Sequence, residues 1–542
     1  MPTKEILKFC IEKGLLIDKN FLQFLAENTD VESAKLIIDN LRSYGNKKII
    51  NQKSFEDSRE RVCEFLFKLP EENQKRFEKL KIKLGLTLEI SREIESVLLE
   101  TQKEILFHEF SPANIRILDM PFFVGKKLEV KDFVTHFKNR FSEMSLILQG
   151  HSELVNPISI SKLSNSNSNV SVIGIVRNKN FTKNKNLLFD VEDLTGKIKI
   201  LVNGDKKDLF EKAENICLDG IFGFRVSGNK EILFANEIVF PDSFLQQKKN
   251  SPYDESVAFL GDLHYGSKRF LENDFLKFIE YLNGKNKLDN DSEKIKYLFV
   301  VGDLVTGIGN YPNQEKDLKI KDLEEQFQGL AEFFKKIRKD IKIIISPGNH
   351  DGVRVMEPQP ILDEKYAWPL HDLKNVVLTT NPARLNIGSD EKKAFSGFDI
   401  LTYHGFSFTF YANNIPELVK KRAMDCPEEI MKYLLRQRHL APTHASVQYF
   451  PLEQDSLLIK KIPDIFVSAH THKSGVGYYN NTLLISTSCW ESMTPYQEKF
   501  GNKPDHCKVP VFNFKTRAIK ILDFETKEED KKLLREDEKN LN

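Results

Sequence analysis

The stretch Ser346-Pro347-Gly348-Asn349-His350-Asp351 sets an amide, an imidazole and a carboxylate on one turn, directly after the strand-like run 341–345. The carboxyl ends of strands are where open α/β sheets keep their sites. Four other places repeat the pattern of apolar run, short turn and metal-ligand residue types. Residues 257–260 lead into Gly261-Asp262-Leu263-His264, and 297–301 into Gly302-Asp303. Residues 400–403 precede His404-Gly405, and 465–467 precede Ser468-Ala469-His470-Thr471-His472. A lone Gly-Asp or a lone histidine at a strand end is an ordinary structural feature. Five such turns in this order, each after an apolar run, point to one functional edge of an α/β fold.

The residue types on that edge suit a pair of divalent cations. Asp262 and His264 are spaced i, i+2, so on an extended chain end they face the same side, and His470 and His472 repeat the spacing. Two cations a few ångströms apart repel, and a carboxylate between them relieves this, a role that falls to Asp303. The expected sets are Asp262, His264 and His472 on one ion, and Asn349, His404 and His470 on the other, with Asp303 on both. Carboxylate, amide and imidazole without thiolate suit Mn²⁺, Zn²⁺ or Fe²⁺, with Mg²⁺ admissible, rather than Ca²⁺ or a cluster. Asp351, directly after His350, is expected to orient that ring or the turn. His371, His439, His444 and His506 stand outside any motif and are expected to be structural or solvated.

Around this centre the chain divides into several parts. Its 542 residues are too many for one core and suggest about three domains. A hydrophobic content of 40%, a charged content of 29% and a net charge of +1 describe an ordinary soluble protein and leave partners open. Six scattered cysteines without a C-x-x-C pair fit buried thiols in a reducing cytoplasm rather than a disulfide framework or a structural zinc. With no signal peptide and no bilayer-length apolar run, a cytoplasmic protein without membrane association is expected.

Residues 1–70 read as a small helical module, with Ile6, Leu7 and Cys10 on one face, then Phe21, Phe24 and Leu25, then Ala34, Ile37, Ile38 and Leu41 before Gly45. Residues 71–165 read as a helical or flexible connector, rich in Lys and Glu, ending in a helix at 130–148 with Phe133, Phe137, Phe141 and Met144 along a core-facing stripe. The polar run 164–169 reads as a linker or loop. Strands are expected at 170–176, 187–191, 198–202, 216–226 and 232–238, with a helix at 208–213 between the third and fourth, which is the arrangement of an OB-fold barrel over 166–250. Lys179, Lys183 and Lys185 near Phe181 are read as a solvated hairpin tip, with contact to a nucleic-acid strand as the other possibility. From 251 to 525 strands alternate with helices, and 526–542 is a charged tail.

The five turns resemble the calcineurin-like metallophosphoesterase superfamily. Further features resemble one branch, the small subunits of the archaeal family D DNA polymerases: Gly307-Ile308-Gly309-Asn310-Tyr311-Pro312-Asn313-Gln314, Arg354 with Glu357-Pro358-Gln359-Pro360, Trp490 with Gln497, and Lys508-Val509-Pro510-Val511. The resemblance implies a layered β-sandwich with flanking helices behind an OB-fold and a helical amino-terminal module. It implies a two-metal 3′-to-5′ exonuclease acting on the primer 3′ end of DNA, and a large polymerising subunit as partner. His350 is then the residue that protonates the leaving 3′-oxygen or stabilises the phosphoryl charge, and Arg354 the one that holds a substrate phosphate. Residues 490–512 are read as partner surface or cleft lining. Two positions depart from the family pattern: Ala469 stands where a glycine is usual, and Thr306 where many relatives carry a carboxylate. The alternatives are a non-catalytic scaffold subunit and a free-standing metallophosphodiesterase.

Overall fold

The computed structural model describes residues 2–19, parts of 22–50, 115–121, 127–242, 245–285, 291–499 and 501–526. The chain falls into two compact units, Met1–Ser111 and Pro112–Asn542. In the first, helix Pro2–Glu12 buries Ile6 and Cys10, one helical turn apart, while Leu7 is exposed. Strands Leu16–Ile17 and Ile49–Ile50 pair in parallel. Phe21, Phe24, Leu25, the connector at 71–114 and the tail beyond 526 lie outside the described residues.

The second unit holds two six-stranded sheets and a closed barrel. The first sheet runs Val376–Leu378, Lys342–Ser346, Ile295–Val301, Ser256–Leu260, Lys508–Asn513, Ile519–Asp523, with the first four strands parallel. The second runs Gly475–Tyr479, Thr482–Ser486, Ile465–Ser468, Phe398–Tyr403, Ala383–Ile387, Ile115–Asp119. Alternation along the strands assigns the layers. Ala258, Leu260, Leu298, Val300, Ile343 and Ile345 face helices Glu272–Leu282 and Leu323–Lys335, while Leu401, Tyr403, Phe466 and Leu484 face the helices of 408–437. Their neighbours point between the sheets, where Phe398 packs on Phe512 and Phe514 with ring centroids 5.8 and 4.9 Å apart. The layers are helix, sheet, sheet, helix.

Strand Ile115–Asp119 lies within the segment expected to be a connector, yet it pairs with Ala383–Ile387 at the edge of the second sheet. Its five residues carry no period that marks a strand; the pairing is supplied by the exposed edge. Helix Val130–Gln149 opens where Asp132 accepts the Glu129 N–H at 2.9 Å and ends at Gly150. It buries Phe141, Met144 and Leu148 against barrel residues such as Ile173, Ile175 and Ile221. Each such side chain contributes about 1.5–3 kcal/mol when fully buried.

The barrel closes in the order Asn167–Phe181, Leu187–Glu192, Lys197–Val202, Ile232–Val239, Ile221–Gly228, with helix Lys207–Glu214 between its third and fourth strands in sequence. Half of the polar run 164–169 already belongs to its first strand, since Asn167 pairs with Gly228 and its carboxamide oxygen accepts from Ser164 N–H at 3.0 Å. Lys179 is no free hairpin charge: its ammonium donates to the carbonyls of Glu214 and Ile216, both at 2.9 Å, just after that helix. Phe181 is 65% exposed. Among the described residues no helix is long and apolar enough to cross a membrane.

Candidate metal centre

Parallel pairing brings the turns together. Leu260 lies opposite Val300 and Val301 opposite Ser346, so the turns bearing Asp262, His264, Asp303 and Asn349 leave the first sheet side by side. In the second sheet Tyr403 lies opposite Ser468, which aligns His404 with His470 and His472. Ligand-bearing atoms of Asp262, His264 and His472 fall within 4.8 Å of one another, as do those of Asp303, His404 and His470, and those of His264, Asp303 and His350. His404 Nε2 is 3.1 Å from Asn349 Oδ1 and 3.3 Å from Asp303 Oδ2. All seven expected ligands therefore converge, with Asp303 in two of the three groups and His350 sharing one of them.

Close approach depends on two glycines. A Cβ on Gly302 would lie 2.3 Å from His404 Nδ1, and one on Gly348 would lie 2.2 Å from Asp303 Oδ1. Five of the expected ligands carry left-handed backbone themselves: Asp262, His264, Asp303, His470 and His472 have φ between 48° and 69°. That region is unfavourable for residues with a Cβ and is stored at functional sites. Ala469 is not among the left-handed residues, whereas His470 beside it is. Thr306 has work of its own, since its hydroxyl donates to His264 O at 2.7 Å and its carbonyl accepts from His350, Asn310 and Gln314.

The ring orientations follow from fixed partners. His404 Nδ1 lies 3.1 Å from Val301 O, which fixes the ring with Nε2 directed at Asn349 Oδ1 and Asp303 Oδ2. His350 Nδ1 lies 2.8 Å from Thr306 O, which turns its Nε2 toward Asp303 Oδ2 at 4.0 Å. Gln497 touches His472 Nδ1 at 2.9 Å. Asp351 orients the turn and not the ring of His350: it accepts from Gly348 N–H at 2.8 Å and Val305 N–H at 3.0 Å.

The electrostatics call for positive charge. Asp262 is fully buried, Oδ1 has no hydrogen-bond partner among the described residues, and burial pushes its carboxyl well above the usual range. Burial also keeps His264, His470 and His472 neutral, with His470 pushed down to about 3. Burial would raise the Asp303 carboxyl and lower His404, but each outweighs that on the other: Asp303 is held well below its ordinary value and His404 is raised to about 10. A buried carboxylate oxygen without a partner, beside neutral imidazoles, is a donor set that fits divalent cations.

Arg354, expected to hold a substrate phosphate, is engaged by its own segment and by Phe450. Its Nε and Nη2 donate to Pro358 O at 3.3 and 2.8 Å, and its guanidinium lies over Phe450 at 4.4 Å. Trp490 is fully buried against Phe275 and Phe278, so it is core and not partner surface. The stretch after it does border the centre: Trp490 N–H donates to Asp262 O at 2.9 Å, and Gln497 follows on His472. Of the other histidines, His439 is buried 2.9 Å from Asp455, while His444 is exposed and stacks on Tyr449 at 3.7 Å.

Comparison with known proteins places this architecture. The family of DNA polymerase alpha/epsilon B-subunits matches residues 257–476. The DNA polymerase II small subunit of Methanothermobacter thermautotrophicus is 36% identical over 404 residues, covering 73% of this chain and 80% of that protein. The chain belongs to the DNA polymerase II small-subunit family. Two further members, from Pyrococcus horikoshii and Archaeoglobus fulgidus, are each 34% identical; they cover 84% and 72% of this chain, and 73% and 77% of their own lengths. Among solved structures, an archaeal phosphodiesterase aligns at 12% identity with a TM-score of 0.25, covering 49% of this chain and 98% of that one.

Within this small-subunit chain, the residue that sequence reasoning passed over is Asn381. Its side chain is fully buried and accepts the His404 N–H at 2.8 Å. The only sequence signal is an Asn-Pro pair preceding strand Ala383–Ile387, which reads as a turn.

Proposed function

We propose that this small-subunit chain carries a two-cation phosphodiesterase that removes nucleotides from the 3′ end of DNA beside a large polymerising subunit. The observation that carries the reading is the meeting of seven donor residues from five strand ends, with Asp262 Oδ1 left without a hydrogen bond among the described residues. Asp262, His264 and His472 would hold one cation, Asn349, His404 and His470 the other, with Asp303 between. When bound, such cations, whether Mn²⁺, Zn²⁺, Fe²⁺ or Mg²⁺, supply an activated water near neutral pH and neutralise charge growing on the phosphate.

The chain's own residues do the rest. Val301 O holds His404 Nδ1 so that Nε2 faces the proposed cation, and Gln497 fixes the ring of His472. Hydroxide, formed as the water gives up one proton to solvent, bonds through oxygen to phosphorus, the P–O3′ bond breaks, and His350 Nε2 gives a proton to the departing 3′-oxygen. The Thr306 carbonyl holds that ring with Nε2 turned inward. The closed barrel, whose strand order and helix position are those of an OB-fold, is read as a docking module beside this body.

The test is co-purification with the large subunit, followed by an Mn²⁺-dependent assay on a 3′-labelled mismatched primer. Shortening of the primer by wild type, and its loss together with bound metal in Asp303→Ala, is the expected result. Co-purification without any hydrolysis would leave the scaffold role and overturn the nuclease.

A further inference from the structure

Gln359 and Asn381 are buried carboxamides at 2% and 0% exposure, and neither is close enough in sequence to a ligand to be part of its turn. Their side chains form one directed relay. Asn381 Oδ1 accepts the His404 N–H at 2.8 Å, Asn381 Nδ2 donates to Gln359 Oε1 at 2.7 Å, and Gln359 Nε2 donates to Arg354 O at 3.1 Å and Gly348 O at 3.4 Å. The backbones pair as well, Gln359 N–H to Asn381 O at 2.6 Å and Asn381 N–H to Gln359 O at 3.1 Å. At one end stands the backbone of His404, in the second sheet; at the other stands the residue before Asn349, on a turn of the first. The Glu357-Pro358-Gln359 segment is anchored behind by Glu357 N–H to Gln448 O at 2.9 Å and Phe450 N–H to Glu357 O at 2.7 Å.

We propose that Gln359 and Asn381 are positioning residues that set the distance between Asn349 and His404, and thereby govern one cation position and not the other. This rests on the two-cation reading above. Each member must accept at one end and donate at the other, which a carboxamide does and a carboxylate or an aliphatic chain does not. The Asp262, His264 and His472 group has supports of its own: Trp490 N–H on Asp262 O, His264 N–H on Asp303 O, and Gln497 on His472. The relay touches none of these. Partners behind the ligands of a metal site are worth roughly 10- to 100-fold in affinity.

The experiment titrates Mn²⁺ into the full chain with its large subunit, reading bound equivalents and the paramagnetic resonance spectrum of the coupled pair. The variants are Gln359→Leu, close to glutamine in volume, and Asn381→Ala. Wild type is expected to bind two equivalents with a coupled spectrum. Each folded variant is expected to keep one tight equivalent, lose roughly 10- to 100-fold in the second, and give an uncoupled spectrum at low Mn²⁺. Two tight, coupled equivalents in Gln359→Leu would overturn the positioning role, as would equal weakening of both. Fewer than two equivalents in wild type would overturn the two-cation reading itself.

Discussion

His350 is held by Thr306 O at Nδ1 and leaves Nε2 facing Asp303, so its removal takes away a proton donor and no cation ligand of the two groups proposed. His350→Ala should lower the hydrolysis rate roughly 10²- to 10⁴-fold while both metal equivalents remain, as metal analysis beside a rate measurement would show. Glu357 makes a pH prediction. Its Oε2 lies 2.9 Å from Tyr403 Oη, which lies 2.8 Å from Ser407 Oγ, which donates to Leu440 O at 3.0 Å. Three contacts in a chain ending at a carbonyl need three protons; the hydroxyls supply two, and a protonated Glu357 supplies the third. Burial pushes its carboxyl from 4.5 up to about 8. A folded-state value above the unfolded one contributes stability that is full below 4.5 and lost as pH rises through about 8. Glu357→Gln, which stays neutral, should therefore lose less stability than wild type between about pH 5 and 9 in denaturant titrations. Residues such as His470 and His472 were legible because strand, turn and ligand are contiguous in the chain. Asn381 and the Pro358 engagement of Arg354 were not, because each is defined by a contact the local sequence does not encode.

Helix Val130–Gln149 makes the element scale concrete. Its Phe stripe reads as core, and Phe141 and Met144 are buried, but so are His136 and Arg140. Arg140 donates to Asp455 Oδ2 at 2.5 Å and to Pro442 O at 2.7 Å, and His439 and His136 lie 2.9 and 3.4 Å from the same carboxylate oxygen. Burial would raise the Asp455 carboxyl, but Arg140 and the two histidines hold it well below its ordinary value. Arg140→Ala should cost about 3–5 kcal/mol, since it leaves a buried carboxylate without its cation, and chemical denaturation would read that loss. Replacing Arg140 and Asp455 together by apolar residues should cost less. A hydrophobic period could place this helix but not its buried charges, whose partners lie more than 300 residues away. Trp490 misled for the converse reason: an aromatic cluster reads alike as surface or core until Phe275 and Phe278 are seen to cover it.

Across the whole molecule, the centre occupies one edge of the paired sheets, while the helix layers and the barrel's outer strands lie elsewhere. Docking of a large subunit on such faces needs no cations. A double Asp262→Ala, His472→Ala variant should therefore pull down the large subunit as wild type does, while hydrolysing nothing. Loss of capture in that variant would tie docking to the centre, whereas capture by a fragment ending at residue 250 would place the interface on the barrel side and free of the centre. The barrel and the strand–turn order of the larger body were legible because their signals are local and periodic. The joining of residues 115–119 to a sheet edge was not, for an edge recruits whatever strand reaches it.

The left-handed backbone at Asp262, His264, Asp303, His470 and His472 also bears on how such a protein would age. Each side chain there costs about 1 kcal/mol or more that glycine would not. On the proposed two-cation reading, the donors these residues supply are what that cost serves. Glycine at any one of these positions would relieve the backbone cost and remove the donor in the same step. On that reading, giving up a donor here is downhill for the backbone and restoring one is uphill.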